Sequence, residues 1–294
     1  MPDSPPSCRL HFGTCAWSHD DWRGVFYPDH LPSAERLQFY SHYFKTVEVD
    51  STFYHPPTRA VTQHWADITP ADFVFACKLP REITHDHRLR DCEKLLADFL
   101  EGLEPLQAKV GAIIIELPAW VDTHHDEHAL RDFVRQLPAS WPWAIEFRHE
   151  GWLHPHTVHL LEKHNVSNVW SDLTPLAGAN GAAFDLHPPS ADFAVIRLLG
   201  DPASRYHPDG SQSHHYTKLQ WPRSESLENW AAKIRLHQHD LKRILIFAGD
   251  HFEGYAPVTI QRLAKLFEVE IQLPQSALLH PEDDSHQRQM KLWE

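Results

Sequence analysis

Several signals that would assign a function directly are missing from this chain. Its 294 residues hold four cysteines, Cys8, Cys15, Cys77 and Cys92, and no C-x-x-C pair. That suits a protein of a reducing compartment better than a disulfide scaffold or a zinc ribbon. No apolar run is long enough to span a bilayer. Residues 1–7 are rich in Pro and Ser, without the apolar stretch of a signal peptide. The expectation is a soluble, cytoplasmic protein with no membrane partner. Basic charge is scarce as well: 27 Lys and Arg stand against 40 Asp and Glu, a formal net charge of −13. A general nucleic-acid surface needs the opposite excess, so nucleic acid is not the expected partner, although a local basic pocket stays compatible with that charge. There is no G-x-G-x-x-G, no G-x-x-x-x-G-K-[ST], no H-E-x-x-H and no G-x-S-x-G. Dinucleotide, P-loop, zincin and serine-hydrolase readings therefore lose their local support. Histidine (25) and tryptophan (11) are abundant, but runs such as residues 123–128 and 213–215 read as solvated loops.

What is present is a repeating unit. Trp143 to His149, followed by Glu150-Gly151-Trp152, starts as an apolar strand and ends in charge. Alternation places Ala144, Glu146 and Arg148 on one face and Ile145 and Phe147 on the other. One apolar face then meets helices, and the charged end lines a mouth. The same pattern recurs over residues 8–15, 46–53, 72–79, 110–117, 166–172, 193–200 and 243–248. Helices are predicted from Ser33, from Thr58, and over 89–106, 126–136, 154–164, 226–239 and 257–267. The unit at 173–190 is the weakest, with no convincing helix. Eight strands alternating with helices predict one α/β domain, a (β/α)8 TIM barrel over residues 8–270. A disordered N-terminus (1–7) and an irregular tail (271–294) flank it. A doubly wound open sheet is the alternative.

Reactive groups of such barrels lie at the C-terminal ends of the strands. Parity aims Glu48, Asp50, Lys78, Glu116, Glu146, Arg148, Asp172 and Arg197 at one mouth. Glu48, Glu116 and Glu146 are the candidate general acids and bases, since neighbouring charges can split their protonation roles. Lys78, Arg148 and Arg197 suit an anionic substrate group. Asp50, Asp172 and His149 join them as substrate-binding candidates. Trp17, Tyr27, Tyr54 and Trp152 follow strands and could form an apolar or sugar-stacking wall, with Trp152 equally suited to the core. The bland alternative is a set of buried salt bridges closing the barrel top, although apolar layers would do that better. Glu48, Glu116, Glu146, Asp172, His149 and His251 are acceptable ligands for a divalent ion. With no ligand-pair spacing among them, a metal is possible but not favoured, and the cofactor is left unknown.

The motifs also resemble a known family. Gly13 to Trp22 with Gly24 and Phe26-Tyr27-Pro28, Val47 to Tyr54, Phe75 to Lys78 with Ile83-Thr84-His85, Glu146 to His149 with Trp152, and Ile196-Arg197-Leu198 with Gly200 are similar, in order, to the motifs of the YecE-like proteins. These form domain of unknown function 72. The resemblance runs from about residue 10 to 268. It implies a TIM barrel and no established reaction. A fold-level likeness to endonuclease-IV and xylose-isomerase barrels suggests phosphoester or sugar chemistry by analogy. The chain departs from the family pattern at Asp50 (usually Asn), Glu116 (often Gln), Leu199 (usually His) and Ala248-Gly249 (an Asn pair), all at the expected mouth, while Asp250-His251 still fits.

These readings lead first to an enzyme doing acid/base chemistry on a small polar, anionic or sugar-like substrate. A metal-dependent phosphoesterase acting on nucleic acid and a non-catalytic small-molecule binder are the alternatives. Oligomeric state is not encoded in any motif found.

Overall fold

A computed structural model of the protein describes residues 8–152, 154–173, 189–200 and 215–274. The expected disordered N-terminus, most of the weak unit at 173–190 and the tail from residue 275 lie outside the described residues.

Nine strand segments form one parallel sheet: β1 (Arg9–Cys15), β2 (Thr46–Val49), β3 (Val74–Lys78), β4 (Val110–Leu117), β5 (Trp143–Phe147), β6 (Ser167–Asn168), β7 (Trp170–Ser171), β8 (Phe193–Leu198) and β9 (Arg243–Ala248). Their order is β6-β5-β4-β3-β2-β1-β9-β8-β7. The two ends of that order are consecutive pieces of one extended stretch, separated only by Val169. Hence the predicted sixth strand is a single strand broken in two, its first half bonded to β5 and its second to β8. The sheet is a nearly closed eight-stranded barrel, not an open sheet. The helices are α1 (Arg36–Tyr43), α2 (Ser51–Tyr54), α3 (Arg59–Ile68), α4 (Glu93–Leu103), α5 (Thr123–Gln136), α6 (Pro155–Lys163), α7 (Ser224–His237), α8 (Asp250–Glu253) and α9 (Ala256–Lys265).

Strand parity divides the apolar residues into two sets. Val47, Phe75, Ile113, Ile145, Phe147, Ile196 and Ile246 face outward and pack with the apolar faces of the helices. Ala76, Ala112, Ile114, Ala144, Val195, Leu245 and Phe247 fill the barrel interior. The filled interior holds the strand tips rigid, and the charged residues stand above it on the same faces.

Local boundaries differ from the sequence reading in instructive ways. The second strand stops at Val49 instead of running to Phe53, because the Thr52 hydroxyl donates to the carbonyls of Val49 (2.9 Å) and Lys78 (2.8 Å) and bends the chain into α2. Ser33 and Thr58 start helical segments without capping through their side chains. Residues 123–128 are not a loop: they open α5, which Asp122 caps by accepting from the His125 amide at 2.9 Å.

Gly13 fixes the close approach of β1 to β2, where it pairs with Thr46. A Cβ there would sit 2.1 Å from the Thr46 carbonyl oxygen. Gly13→Ala is therefore expected to destabilise the fold by about 1–3 kcal/mol, the range of forced overpacking. Urea unfolding would check this, and an unchanged midpoint would mean that the β1–β2 register is wrong.

Candidate functional site

Seven of the predicted residues meet at the C-terminal mouth. Arg197, near the end of β8, reaches across the barrel to the opposite strands. Its Nε and Nη2 donate to the two carboxylate oxygens of Glu48 on β2 at 2.8 and 2.6 Å. Its Nη1 donates to Glu116 on β4 at 2.8 Å and also to Glu146 on β5. Glu116 and Glu146 are register partners on adjacent strands, a repulsive placement unless cations lie between them. Arg197 supplies one and Arg148 the other. Arg148 Nη2 lies 3.2 Å from Glu116, and its Nε lies 2.8 Å from Glu146 Oε1, with the N–H direction missing the oxygen. Lys78, at the tip of β3, sits 3.2 Å from Glu116 and 3.3 Å from Asp50.

Depth separates the glutamates. Glu48 and Glu146 are 0% exposed. Glu116 opens onto a cavity of about 640 Å³, together with Asp50, Lys78, Arg148 and Arg197. Burial pushes Glu48 up to about 7 despite its pairing with Arg197. Burial also acts against ionising Glu116, but Arg197, Lys78 and Arg148 together outweigh it and hold that carboxyl well below the usual range. Burial pulls Lys78 down, and Asp50 with Glu116 more than restores its charge.

The far wall of the cavity comes from the loops after β1 and β9 and from residues 215 and 216. His19 lies 3.5 Å from Asp250, which also accepts from the Trp22 indole and, at 2.8 Å, from the Ala256 amide. His251 Nδ1 is 2.6 Å from the Tyr216 hydroxyl. Asp21 accepts from the Tyr216 amide at 3.2 Å and meets His215 at 3.3 Å. His215 is a solvated loop residue, as read from the sequence, and it also borders the cavity. Sequence reasoning missed His19, Asp20, Asp21 and Tyr216, because they sit in irregular loops where strand parity says nothing. Cys15, read as a small strand residue, lines the cavity 3.6 Å from Glu48, its thiol pushed well up by burial.

Other predicted site residues are placed elsewhere. Tyr27 is fully buried, its hydroxyl donating to the Trp17 carbonyl. Trp152 is buried, stacks on Phe147 at 5.4 Å and donates to the Val121 carbonyl at 2.7 Å. Trp17 is half-buried, edge-on to Trp65. The stacking wall drawn from these three is therefore corrected: they are large rings used for packing behind the loops. Tyr54 alone of the four is on the surface. Asp172 clamps the turn after β8, accepting from the amides of Leu199 (2.7 Å) and Gly200 (2.8 Å). His149 accepts from the Gly151 amide at 3.1 Å. Neither lines the cavity.

Among the described residues no three or more His, Cys, Asp or Glu side chains are grouped to hold a metal ion. The three glutamates converge on a guanidinium, and Asp172 and His149 point to other tasks. No helix among the described residues is long and apolar enough to cross a membrane.

Comparison with known proteins places the chain. A family model described as a protein of unknown function, DUF72, matches residues 11–284. The UPF0759 protein YecE of Escherichia coli (strain K12) is 31% identical over 140 residues, 48% of either chain. The match to YecE thus spans about half of its length. The UPF0759 protein YunF of Bacillus subtilis is 22% identical over 273 residues, 89% of this chain and 95% of that one. A DUF72 crystal structure from Thermotoga maritima superposes with a TM-score of 0.70 at 23% identity, covering 88% of this chain and 99% of its own. One from Enterococcus faecalis gives 0.66 at 16% identity, covering 90% and 100%. These likenesses carry the barrel fold, and the family match over most of the sequence makes this chain a member of the DUF72 family.

Proposed function

We propose that the protein is an enzyme performing proton transfer on a small, neutral, hydroxyl-rich substrate bound in the mouth of the barrel. One arrangement carries this reading: Glu48 and Glu116 share the Arg197 guanidinium beneath an open cavity, yet their surroundings drive their protonation apart. Such a split separates acid from base roles among chemically identical side chains. Glu116 is the glutamate that meets the substrate. Glu48 is the carboxyl that exchanges its proton near neutral pH, and Glu146 fixes Arg197 and Arg148. His19 and His251, across the cavity, face the opposite side of a bound molecule.

Charge favours a neutral substrate over an anionic one. Each of Lys78, Arg148 and Arg197 already holds a carboxylate. The lining adds Asp20, Asp21 and Asp250 to Asp50 and Glu116, so five acids face three cations. A sugar or polyol suits this mixture of donors and acceptors, whereas a phosphate ester would meet repulsion.

The test is incubation of the protein with sugars, polyols and sugar acids in D2O, followed by proton NMR for solvent deuterium at carbon or for conversion. One neutral class should react, and Glu116→Gln should slow it at least about hundredfold, the lower end for loss of general acid/base catalysis. Reaction unaffected by Glu116→Gln would refute the assignment. Binding in the cavity without any turnover would make the protein a small-molecule binder instead.

A further inference from the structure

Tyr54, at 68% exposure, and Trp120, at 60%, are the two aromatic side chains among the large exposed apolar residues of the described part. Both stand on the mouth side of the barrel. Tyr54 ends α2 after β2, and Trp120 lies in the loop after β4. His85 follows β3, which lies between those strands in the sheet. The rings make a continuous track. Trp120 meets His85 with centroids 5.5 Å apart, His85 meets Phe53 at 5.1 Å, and Phe53 meets Tyr54 at 5.1 Å. Lys78, at the cavity edge, sits 4.4 Å over the Phe53 ring. The track therefore leads from solvent to the mouth.

The backbone beneath Trp120 is held at a cost. Arg88, Leu89 and Asp91 adopt φ of +50°, +64° and +48°, half of the non-glycine residues in that region among those described. Left-handed conformations in non-glycine residues persist where the surroundings over-determine them, and they cluster at functional sites. Here the surroundings are Asp126, fully buried, which receives Arg88 and, at 2.8 Å, Arg90. Arg88 also donates to the Trp120 carbonyl at 3.4 Å. Strain and two half-exposed arginines anchored on the buried Asp126 thus position a tryptophan that leaves most of its side chain in solvent.

We propose that Tyr54, His85 and Trp120 form an extended subsite on which the successive rings of a neutral oligosaccharide stack, with the terminal unit entering the cavity. The inference deepens the hydroxyl-rich reading of the site and rests on it. The rings meet edge to face, at 78–89°, so each exposed ring at the mouth offers its own face to the apolar face of one sugar unit. A nucleic-acid strand also stacks on aromatics but needs cations for its phosphates. The formal charge is −13, and the nearest arginines are already taken by Asp86 and Asp126.

Isothermal titration with cello-, manno- and malto-oligosaccharides of one to six units tests this. In one series, affinity should rise about tenfold or more from the single sugar to the tetramer, the scale of one good aromatic contact. Trp120→Ala should remove that gain and leave single-sugar affinity unchanged, Tyr54→Ala should remove part of it, and Trp120→Phe should keep most of it. Affinity independent of length in all three series would overturn the subsite while leaving the cavity reading intact. A length gain that survives both alanine variants, or a larger gain with oligothymidylate, would overturn it too. No binding of any sugar, single or linked, would overturn both readings.

Discussion

Arg197→Met is expected to cost at least about 4 kcal/mol of stability at pH 8, a large part of what an ordinary domain possesses. The reason is what the substitution leaves behind. Arg197 is 2% exposed and carries the hydrogen bonds of Glu48, Glu116 and Glu146, two of which are fully buried. Without it, those two carboxyls must ionise with no adequate partner, take up protons, or force water into the barrel. Breaking a buried pair costs more than the pair contributes, because the surviving charge is left uncompensated. Arg197→Lys should recover only part of the loss, since one ammonium cannot repeat the two-point contact with Glu48 and reach the other carboxylates as well. Combining Arg197→Met with Glu48→Gln and Glu146→Gln should restore much of the stability. Urea unfolding measures all four proteins, and a single variant with wild-type stability would show that the guanidinium does not hold the three glutamates together.

The pH dependence of stability should carry the mark of Glu48. Its folded carboxyl is pushed up to about 7, above the ordinary glutamate value of 4.5. The folded state therefore holds a proton that the unfolded state releases between those two values. Where the native state binds more protons, stability falls as pH rises. This contribution is complete below about 4.5 and gone above about 7, a change on the order of 3 kcal/mol. Glu116 has the opposite sign: its folded carboxyl is held low, so its contribution is present above its unfolded value and lost on acidification below it. Burial lowers His85, which destabilises the fold as pH falls through the histidine range. Subtracting the Glu48→Gln curve from the wild-type curve isolates the Glu48 component. That difference should slope downward from pH 4.5 to 7, and a flat difference would show that Glu48 is ionised throughout.

Much of the mouth is legible in the sequence, and its legibility has one source. Alternation in a strand is rigid, so Glu48, Glu116, Glu146 and Arg197 could be aimed inward from the positions of Val47, Ile115, Ile145 and Ile196. The short β2 was not legible, because Thr52 ends it through a bond to Lys78, a residue 26 positions away. Aromatic roles were poorly legible for a related reason. Tyr27, Trp152, Tyr54 and Trp120 all lie in the connections that follow strands, and nothing local distinguishes a ring that packs inward from one left on the rim.

The sequence by itself determined the repeating β/α unit, the barrel it implies and which charges share the inner face, because these follow from backbone periodicity. Only the tertiary structure decided that Arg197 sits among the glutamates, that Glu48 is sealed while Glu116 is open, and that Asp172 clamps a turn. Those outcomes depend on distances across the barrel between residues far apart in the chain, and no local pattern encodes such distances.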